Sequence, residues 1–396
     1  MKVYVYVLNK EDKPLMPTSP AKARKLLKAG KAKVVGRKPF TIRLVYGSSG
    51  YKQSVILGVD TGYKNVGLSA VSDCKELFAS EVELRTDIPK LLSERTMYRR
   101  TRRNRLWHRK PRFLNRVKSK KQGWLAPSVE HNLNEHIKSV EMVKSILPVS
   151  EIIIEAAAFD IQKIKNPEIS GTEYQNGEQL GFWNVREYVL YRDGHKCPNC
   201  GKTDTILNVH HIESRQTGGD RPDNLITLCE KCHKAHHKGK IELKIKKHKG
   251  FKAETIMSIL RWKIVNRLGD LGNRVNITYG YLTKSARFAL GLSKSHVNDA
   301  FCIAGGSIQE RTDATEGSFT RRNNRCTQLN RNGFKPSIRR RKYEFQPNDM
   351  VKFNGNAYIV KGMQNIGKYI KLSGLKKPVK SDLVSLIKYG RGLRYA

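Results

Sequence analysis

Four of the seven cysteines form two Cys-x-x-Cys pairs, Cys197 with Cys200 and Cys229 with Cys232, with 28 residues between the pairs. Each pair can present two thiolates to one tetrahedral ion, and together they complete a site with no position open for water. Such a closed site is structural, and the spacing predicts a bound zinc ion. Because the chain begins without a signal-peptide pattern, metal ligation is favoured over a disulfide framework.

Six of the eleven histidines lie between His195 and His237, close to the cysteine pairs in sequence. His210 and His211 are adjacent, and His233 directly follows the last cysteine of the second pair. Imidazoles act as metal ligands and, near neutral pH, as proton acceptors. The cluster therefore predicts a reactive site, and the alternative is a second structural zinc site.

The pattern His-His, Gly-Gly, Asn, Cys-His and His in this region resembles the HNH endonucleases, which have a ββα-metal fold. The resemblance implies that His211 is the general base that activates water for attack on phosphorus. It also implies that His210 and His233 hold one divalent ion, expected to be Mg2+, with His237 as a further ligand. Asn224 would fix the loop that orients His211.

Three carboxylates stand at the ends of predicted elements in other parts of the chain. Asp60 ends a buried strand, Glu155 ends the strand of sequence EIIIE, and Asp299 follows His296 by one turn at the start of a helix. Taken singly, each acid has the ordinary interpretation of a surface or capping residue. Together, three carboxylates and an imidazole would suit two Mg2+ ions and two-metal hydrolysis of a phosphodiester.

The order of these residues resembles the split RuvC nucleases, whose RNase-H-like fold is encoded in three separated motifs. Asp60 falls in the first motif, Glu155 in the second, and His296 with Asp299 in the third. An arginine-rich helix separates the first two motifs, and the HNH region separates the last two. This order, with a Pro-Leu-Met-Pro tetrapeptide at 14–17, resembles the RNA-guided CRISPR type II effectors and their smaller transposon-encoded relatives, the IscB family.

The densest run of charge extends from Arg95 to Lys121 and holds nine Arg and four Lys without an acid. Good helix formers without Gly or Pro predict a helix over 91–108. Like charges spaced i,i+4 destabilise a helix unless counter-ions are present, and a phosphate backbone supplies them; the alternative is a solvated basic face. The arginines expected to contact nucleic acid, in this run and in the basic tail, are Arg95, Arg99, Arg100, Arg102, Arg103, Arg105, Arg109, Arg112, Arg116, Arg339, Arg340 and Arg341.

The 396 residues include 76 Lys and Arg against 35 Asp and Glu, which gives a formal net charge of +41. Such an excess indicates a polyanionic partner, and nucleic acid is the first candidate. No apolar run approaches the roughly 20 residues needed to cross a bilayer, and the first ten residues lack a signal-peptide core. We therefore expect a protein without membrane association, cytoplasmic in a prokaryote and acting at the nucleoid.

The coarse pattern predicts an α+β multi-domain fold, in which an RNase-H-like mixed sheet with helices is interrupted by an arginine-rich bridge helix and a zinc-stabilised ββα-metal HNH module. Short alternating strands from Asp349 to Lys388 predict a small β-barrel-like C-terminal domain. The expected divisions are a PLMP domain at 1–52, RuvC part I at 53–90, the bridge helix at 91–122, RuvC part II at 123–180, HNH at 181–245, RuvC part III at 246–310, and a domain that contacts guide RNA and the target-adjacent motif at 311–396.

The resemblance implies an RNA-guided DNA endonuclease whose HNH site cuts the guide-paired strand and whose RuvC site cuts the displaced strand. Its partners would be a long structured guide RNA and double-stranded target DNA, with the protein as a monomer in a ribonucleoprotein. Its ions would be two Mg2+ at RuvC, one at HNH, and a structural Zn2+.

Two alternative functions remain open from the sequence. The first is a protein-guided HNH endonuclease of the restriction or homing kind, which would need a base-reading element that the sequence does not show. The second is a non-catalytic RNA-binding accessory protein of a transposon, which would leave the intact ligand sets unexplained. RNA that copurifies with the protein would favour RNA guidance over the first alternative.

Overall fold

A computed structural model describes residues 4–48, 50–104, 123–156, 182, 184–213, 215, 220–243, 252–322 and 343–395. The described residues form two compact units. The first unit takes its residues from 1–85, 131–157 and 260–396, and the second from 86–130 and 158–259. Each unit is described by itself below.

The helices of the described ranges are numbered in chain order. They are α1 Pro20–Lys28, α2 Ile88–Asn104, α3 Pro127–Ile146, α4 Val185–Arg192, α5 Glu230–His237, α6 Lys252–Asp270, α7 Gly280–Ala289 and α8 His296–Ile303. The periodic apolar residues of α3 are buried, as the sequence predicts for an amphipathic helix from 128 to 147. The predicted helices at 254–269 and 294–305 correspond to α6 and α8, with ends that differ by one to two residues.

The strands are numbered in the same way. They are β1 Val5–Leu8, β2 Pro14–Thr18, β3 Ala32–Arg37, β4 Phe40–Leu44, β5 Ile56–Thr61, β6 Asn65–Val71, β7 Glu76–Glu83, β8 Glu151–Glu155, β9 Leu207–His211, β10 Leu225–Cys229, β11 Val275–Thr278, β12 Thr315–Thr320, β13 Met350–Phe353, β14 Asn356–Gln364, β15 Tyr369–Leu372, β16 Val379–Lys380, β17 Ser385–Lys388 and β18 Gly392–Tyr395.

The first unit is built on a seven-stranded mixed sheet in the order β11-β8-β5-β6-β7-β12-β18. Strands β5, β6 and β7 form an antiparallel meander, whereas β8 runs parallel to β5 and β11 runs parallel to β8. Nearly every residue of β5 is buried, which is typical of a strand covered on both faces. Two elements far apart in sequence, the β5 and β8 strands, therefore end side by side.

Helix α8 packs against this meander because two glycines permit a close approach. A Cβ added at Gly58 would lie 2.0 Å from the carbonyl oxygen of Ala300, and one at Gly67 would lie 1.9 Å from that of His296. The Ser295 side chain accepts a hydrogen bond from the Asn298 N–H and caps the helix at its start. Any larger residue at either glycine would push α8 away from the sheet.

Two smaller sheets complete the first unit. The N-terminal strands form a four-stranded sheet in the order β2-β1-β4-β3, with α1 packed on a small core of its own. Near the C-terminus a five-stranded antiparallel sheet has the order β16-β15-β14-β13-β17.

The expected C-terminal β-barrel is not confirmed. Among the described residues no pairing joins β16 to β17, so the five-stranded sheet has two edges and does not close. Two strands that follow residue 310 also extend the seven-stranded sheet, because β12 pairs with β7 and β18 pairs with β12. Alternation and glycine spacing indicate antiparallel strands, but they do not determine whether a sheet closes.

The second unit contains the cysteine and histidine cluster. Strands β9 and β10 pair antiparallel, with His211 opposite Leu225 and Leu207 opposite Cys229, and α5 begins directly after β10. This is a ββα arrangement with a core that includes three cysteines and Leu228. It agrees with the fold expected of an HNH module.

The expected bridge helix is described only in part, as α2. Residues 105–122 lie outside the described residues, so its predicted continuation to 108 is not tested. No helix in the described part of the chain is long and apolar enough to cross a membrane.

Candidate functional site

Three imidazoles converge where β9 meets α5, and with the adjacent His211 we call them the histidine site. His210 lies on β9, and His233 and His237 lie one turn apart on α5. Their ligand atoms all lie within 4.8 Å of one another, and the Nε2 atoms of His233 and His237 are 3.3 Å apart. Strand pairing and one helical turn therefore bring together the three residues expected to hold an ion.

The electrostatics of these histidines favour the neutral ring, which is the form that binds metal. Burial and, to a smaller extent, the neighbouring imidazoles together lower the pKa of His210 to about 4. Burial and the nearby His237 also lower the pKa of His233. Both imidazoles are therefore ready to act as ligands at neutral pH. Imidazole nitrogen suits first-row transition ions better than Mg2+, so the donor set fits a divalent ion without favouring magnesium.

His211 points away from this cluster toward a carboxylate that the sequence did not single out. Its Nε2 lies 2.8 Å from Asp220 Oδ1, and Arg215 Nη2 lies 2.7 Å from the other carboxylate oxygen of Asp220. If Nε2 carries the ring proton and donates a hydrogen bond to Asp220, then Nδ1 is unprotonated and can accept a proton. Asp220 can thus orient His211 as a base.

Asn224 fixes the chain that follows His211. It is buried, its Oδ1 accepts a hydrogen bond from the Glu213 N–H at 2.8 Å, and its Nδ2 donates to the Glu213 carbonyl at 3.0 Å. The side chain thus replaces two strand-like hydrogen bonds just beyond β9. This geometry agrees with the positioning role expected of Asn224.

The four cysteines lie together at the other end of the ββα module. Their sulfur atoms all lie within 4.8 Å of one another, and Cys200 Sγ and Cys229 Sγ are 3.6 Å apart. Sulfurs bound to one tetrahedral zinc at about 2.3 Å would be separated by about 3.8 Å, so the cluster fits this ion. Burial opposes ionisation of Cys197, but backbone N–H groups of Cys229, Cys200 and Asn199 lower its pKa to about 7.

The first unit holds the second group of expected residues, Asp60, Glu155, His296 and Asp299, which we call the acid site. Asp60 on β5 is buried, and its Oδ2 lies 2.7 Å from His296 Nδ1 at the start of α8. Glu155 ends β8 beside β5, and Asp299 follows on α8. The sheet and the packed helix therefore bring four residues from three distant segments to one place.

Two arginines that sequence reasoning missed lie within the acid site. Arg261 Nη2 is 3.7 Å from Glu155 Oε1, and its Nε donates to the Thr61 hydroxyl at 3.1 Å. Arg287 Nε is 2.8 Å from Asp299 Oδ1. No pattern signals them, because they lie among apolar residues of α6 and α7, and Arg261 is 106 residues from Glu155 in the chain.

The carboxylates of the acid site perturb one another. Burial and the Asp60 charge raise the pKa of Glu155, and the same two causes raise the pKa of Asp299. The hydrogen bond to Asp60 raises the pKa of His296. Among the described residues, the acids are not a group whose ligand atoms all lie within 4.8 Å, unlike the cysteines and the histidines. Carboxylate oxygens are nevertheless the ligands that Mg2+ prefers, so the donor set fits this ion.

The arginines expected to contact nucleic acid are described only in part. On α2, Arg95, Arg99 and Arg100 are exposed and Arg103 is half-buried. The side chain of Arg102 and the whole of Arg105, Arg109, Arg112, Arg116, Arg339, Arg340 and Arg341 lie outside the described residues.

Comparison with known families identifies two regions of the chain. Residues 5–177 match the family model described as RRXRR protein, and residues 197–239 match the model described as HNH endonuclease. The second match covers the four cysteines and the whole histidine site.

Among curated proteins, anaredoxin from Nostoc sp. (strain PCC 7120 / SAG 25.82 / UTEX 2576) is 36% identical over 62 residues. The match covers 15% of this chain and 82% of anaredoxin. It is therefore a local relationship to a much smaller protein.

Solved structures similar to this chain include two Cas9 proteins. Cas9 from Streptococcus thermophilus, in complex with the GGAA PAM, is 14% identical over 53% of this chain and 30% of its own, with a TM-score of 0.35. The type II-C Cas9 from Actinomyces naeslundii is 10% identical over 86% of this chain and 77% of its own, with a TM-score of 0.27. In another streptococcal complex the match spans about a quarter of the Cas9 chain, 26%, with 16% identity over 46% of this chain and a TM-score of 0.29.

The two family matches follow one another in the order that the sequence motifs predict. The HNH match coincides with a ββα module in which the histidine site and the cysteine cluster are both assembled. The chain thus carries an RRXRR region followed by an HNH endonuclease domain, a combination that fits an IscB-like nuclease.

Proposed function

We propose that this protein is an RNA-guided, divalent-metal-dependent DNA endonuclease that cuts the guide-paired strand at the histidine site and the displaced strand at the acid site. The observation that carries the proposal is the histidine site itself, assembled within the region that matches HNH endonucleases. Three clustered imidazoles, His210, His233 and His237, lie beside a fourth that is paired with a carboxylate, and together they supply both ligands and a base.

At the histidine site His211 would act as general base. Its Nδ1 accepts the proton of the attacking water, while Asp220 at Nε2 holds the ring in one tautomer. A divalent ion held by His210, His233 and His237 would neutralise charge on the scissile phosphate and the leaving oxygen. Asn224 keeps the segment after His211 in place, so the base keeps a fixed distance from the phosphate.

At the acid site Asp60, Glu155 and Asp299 would hold Mg2+, and we propose that the sheet that presents them is an RNase-H-like, RuvC-type fold. The support is the parallel pair β5 and β8 with α8 packed against them. His296, bonded to Asp60, would carry positive charge toward the phosphate. Two Mg2+ ions would supply charge neutralisation on both oxygens of the displacement.

RNA guidance is supported by charge and by family. The net charge of +41 and the exposed arginines on α2 suit a heteroduplex that is gripped through its phosphates. We propose that α2 begins the bridge helix and that 311–396 contacts guide RNA and a short motif beside the target. The seven domain divisions given from the sequence are retained as part of this proposal.

The test is cleavage of a supercoiled plasmid by the purified protein loaded with a guide RNA. We expect linear product only when the plasmid contains the sequence complementary to the guide and Mg2+ is present. The matched controls are a guide of scrambled sequence and a plasmid without the target.

Cleavage that is independent of guide sequence, at a fixed recognition sequence, would contradict RNA guidance and favour a restriction-type enzyme. Binding of guide RNA without any cleavage by the wild-type chain would instead favour a non-catalytic accessory protein.

A further inference from the structure

Three aromatic side chains at and along α7 are exposed, and we call them the aromatic face. Tyr279, Tyr281 and Phe288 are 51%, 70% and 65% exposed. The rings of Tyr279 and Tyr281 are stacked, with centroids 6.1 Å apart and planes inclined by 13°. Contiguous exposed apolar side chains mark an interaction site, whereas single ones do not.

Helix α7 separates this face from a second, buried face that touches the acid site. Tyr281, Lys284 and Phe288 are spaced i, i+3 and i+7 and share the exposed side. Thr283 and Arg287, spaced i and i+4, are buried. Thr283 hydrogen-bonds Glu155, and Arg287 pairs with Asp299. One helix thus holds two acids of the acid site on one side and presents aromatic rings on the other.

The stacked tyrosines adjoin the acid site directly. Gly280 lies between them in sequence, and a Cβ added there would lie 3.2 Å from Glu155 Oε1. A ligand on the tyrosine pair would therefore be within about one helix diameter, roughly 10 Å, of the acids.

The charges around the rings favour nucleic acid as the occupant. The exposed Lys284 places its Nζ 5.8 Å from the centre of the Phe288 ring, on the side of the helix that carries the aromatic face. Helix α7 carries no acidic residue. Rings with cations beside them match the two parts of an unpaired nucleotide, because a base stacks on the ring and a phosphate approaches the cation. A paired duplex keeps its bases stacked within the helix and would not use the rings.

We propose that the aromatic face binds unpaired bases of single-stranded DNA and positions that strand for the acid site. The identity of this strand as the displaced strand rests on the proposed function. The three aromatic residues would position the strand and take no part in the reaction itself, which the proposed function assigns to the acid site.

The first test measures binding by the full-length, zinc-loaded chain in buffer without added Mg2+, chelator or guide RNA, using a fluorescent single-stranded oligothymidylate. Replacing both Tyr281 and Phe288 by alanine should weaken binding about a hundredfold, because each of the two lost base–ring stacks contributes about tenfold. The slope of affinity against salt should stay unchanged, because stacking releases no counter-ions, whereas Lys284→Gln should reduce the slope. The pair Tyr281→Phe and Phe288→Tyr keeps both rings and should restore affinity.

The matched control is Tyr51→Ala, because Tyr51 is 86% exposed and precedes β5, outside α7. A DNA strand with single 5-iododeoxyuridine substitutions should crosslink to Tyr279, Tyr281 or Phe288 on irradiation. Equal affinity of the double alanine variant and the wild-type chain would overturn the proposal. Crosslinks that form from a guide RNA and not from DNA would also overturn it.

A second test separates this proposal from the proposed function. In guided cleavage of target DNA labelled on both strands, Tyr281→Ala with Phe288→Ala should lower the ratio of displaced-strand to paired-strand cutting several-fold. If the double alanine variant binds oligothymidylate more weakly but the wild-type chain shows no guided cleavage, the proposed function is wrong. The proposal that the aromatic face binds single-stranded DNA is then still supported. If guided cleavage proceeds with an unchanged ratio and unchanged binding, the aromatic face fails alone.

Discussion

The histidine site and the acid site differ in how their charge is balanced before any metal binds. At the histidine site burial lowers the pKa of His210 and of His233, so these two rings come together without charge repulsion. At the acid site burial and the Asp60 charge raise the pKa of Glu155 and of Asp299, and each of these two carboxylates has an arginine beside it, Arg261 and Arg287 respectively. Neutral ligands can lie close together before a metal ion binds. Anionic ligands repel one another in the metal-free protein, so they need a neighbouring cation, such as an arginine, to balance their charge.

The difference extends to the frames that support the two sites. The histidine site depends on a small ββα module with a core of few residues and a cysteine cluster. The acid site depends on a seven-stranded sheet and on helix–sheet contacts at Gly58 and Gly67. Loss of a metal ligand should therefore affect the two frames unequally.

The largest expected effect is that of Cys229→Ser on the HNH module. Bound zinc contributes about 10–16 kcal/mol to the folding of zinc-finger peptides, so losing one thiolate should unfold this small module. Cutting of the guide-paired strand should fall at least about a thousandfold, while the displaced strand is still cut. The measurements are the zinc content of the protein and the rate for each strand.

The control for this variant is Cys74→Ser, since Cys74 is exposed and lies outside the cysteine cluster. Equal loss of cutting on both strands in the Cys229 variant would show that the two frames are not independent.

The next effect is that of Asn224→Ala on the histidine site. The variant removes both hydrogen bonds to Glu213 and should cost about 1–3 kcal/mol in local stability. Because His211 then loses its fixed position, paired-strand cutting should fall about 10- to 100-fold. Asn224→Asp keeps the acceptor for the Glu213 N–H and should give an intermediate rate. A paired-strand rate equal to wild type would contradict the positioning role.

A smaller effect tests the arginines of the acid site. Arg287→Met leaves Asp299 without its partner, and the metal-free protein should lose about 1–3 kcal/mol of unfolding free energy. Added Mg2+ should remove most of this difference, because it supplies the missing positive charge. Thermal unfolding with and without Mg2+ measures both values, and Arg287→Lys is the control that keeps the charge. A loss that Mg2+ does not change would show that Arg287 acts only in packing.

The smallest effect is a difference in pH dependence between the strands. Falling pH protonates carboxylates, and because the pKa of Glu155 and of Asp299 is raised, this begins at a higher pH than for exposed acids. Metal binding at the acid site is thereby lost, whereas His210, with a pKa of about 4, stays neutral. At mildly acidic pH and limiting Mg2+, the rate of displaced-strand cutting should therefore be several-fold lower than at neutral pH. Raising the Mg2+ concentration should restore part of this rate. Rates that Mg2+ does not restore would contradict this cause.

Sequence reasoning identified the residue sets of both sites because their spacing is local or their position is marked. The cysteines and histidines recur at spacings of one, three and four residues, and EIIIE predicts the strand β8 with the observed ends. The register between β9 and β10 then places His210 beside the two histidines of α5.

The parts that could not be predicted depend on long-range packing. Arg261 and Arg287 reach the acids only because α6 and α7 fold back on the sheet, and neither helix carries a motif. Helix α7 was not predicted at all, although it supports Glu155 and Asp299. The pairing of β12 and β18 with the central sheet likewise joins segments that local patterns treat separately.

The most direct measurement of the two-site account is guided cleavage of linear target DNA that carries a different end label on each strand. His211→Ala should leave cutting of the displaced strand only, and Asp60→Ala should leave cutting of the guide-paired strand only. The wild-type chain should cut both strands. Cutting of both strands by either variant, or loss of the same strand in both variants, would contradict the assignment of one site to each strand.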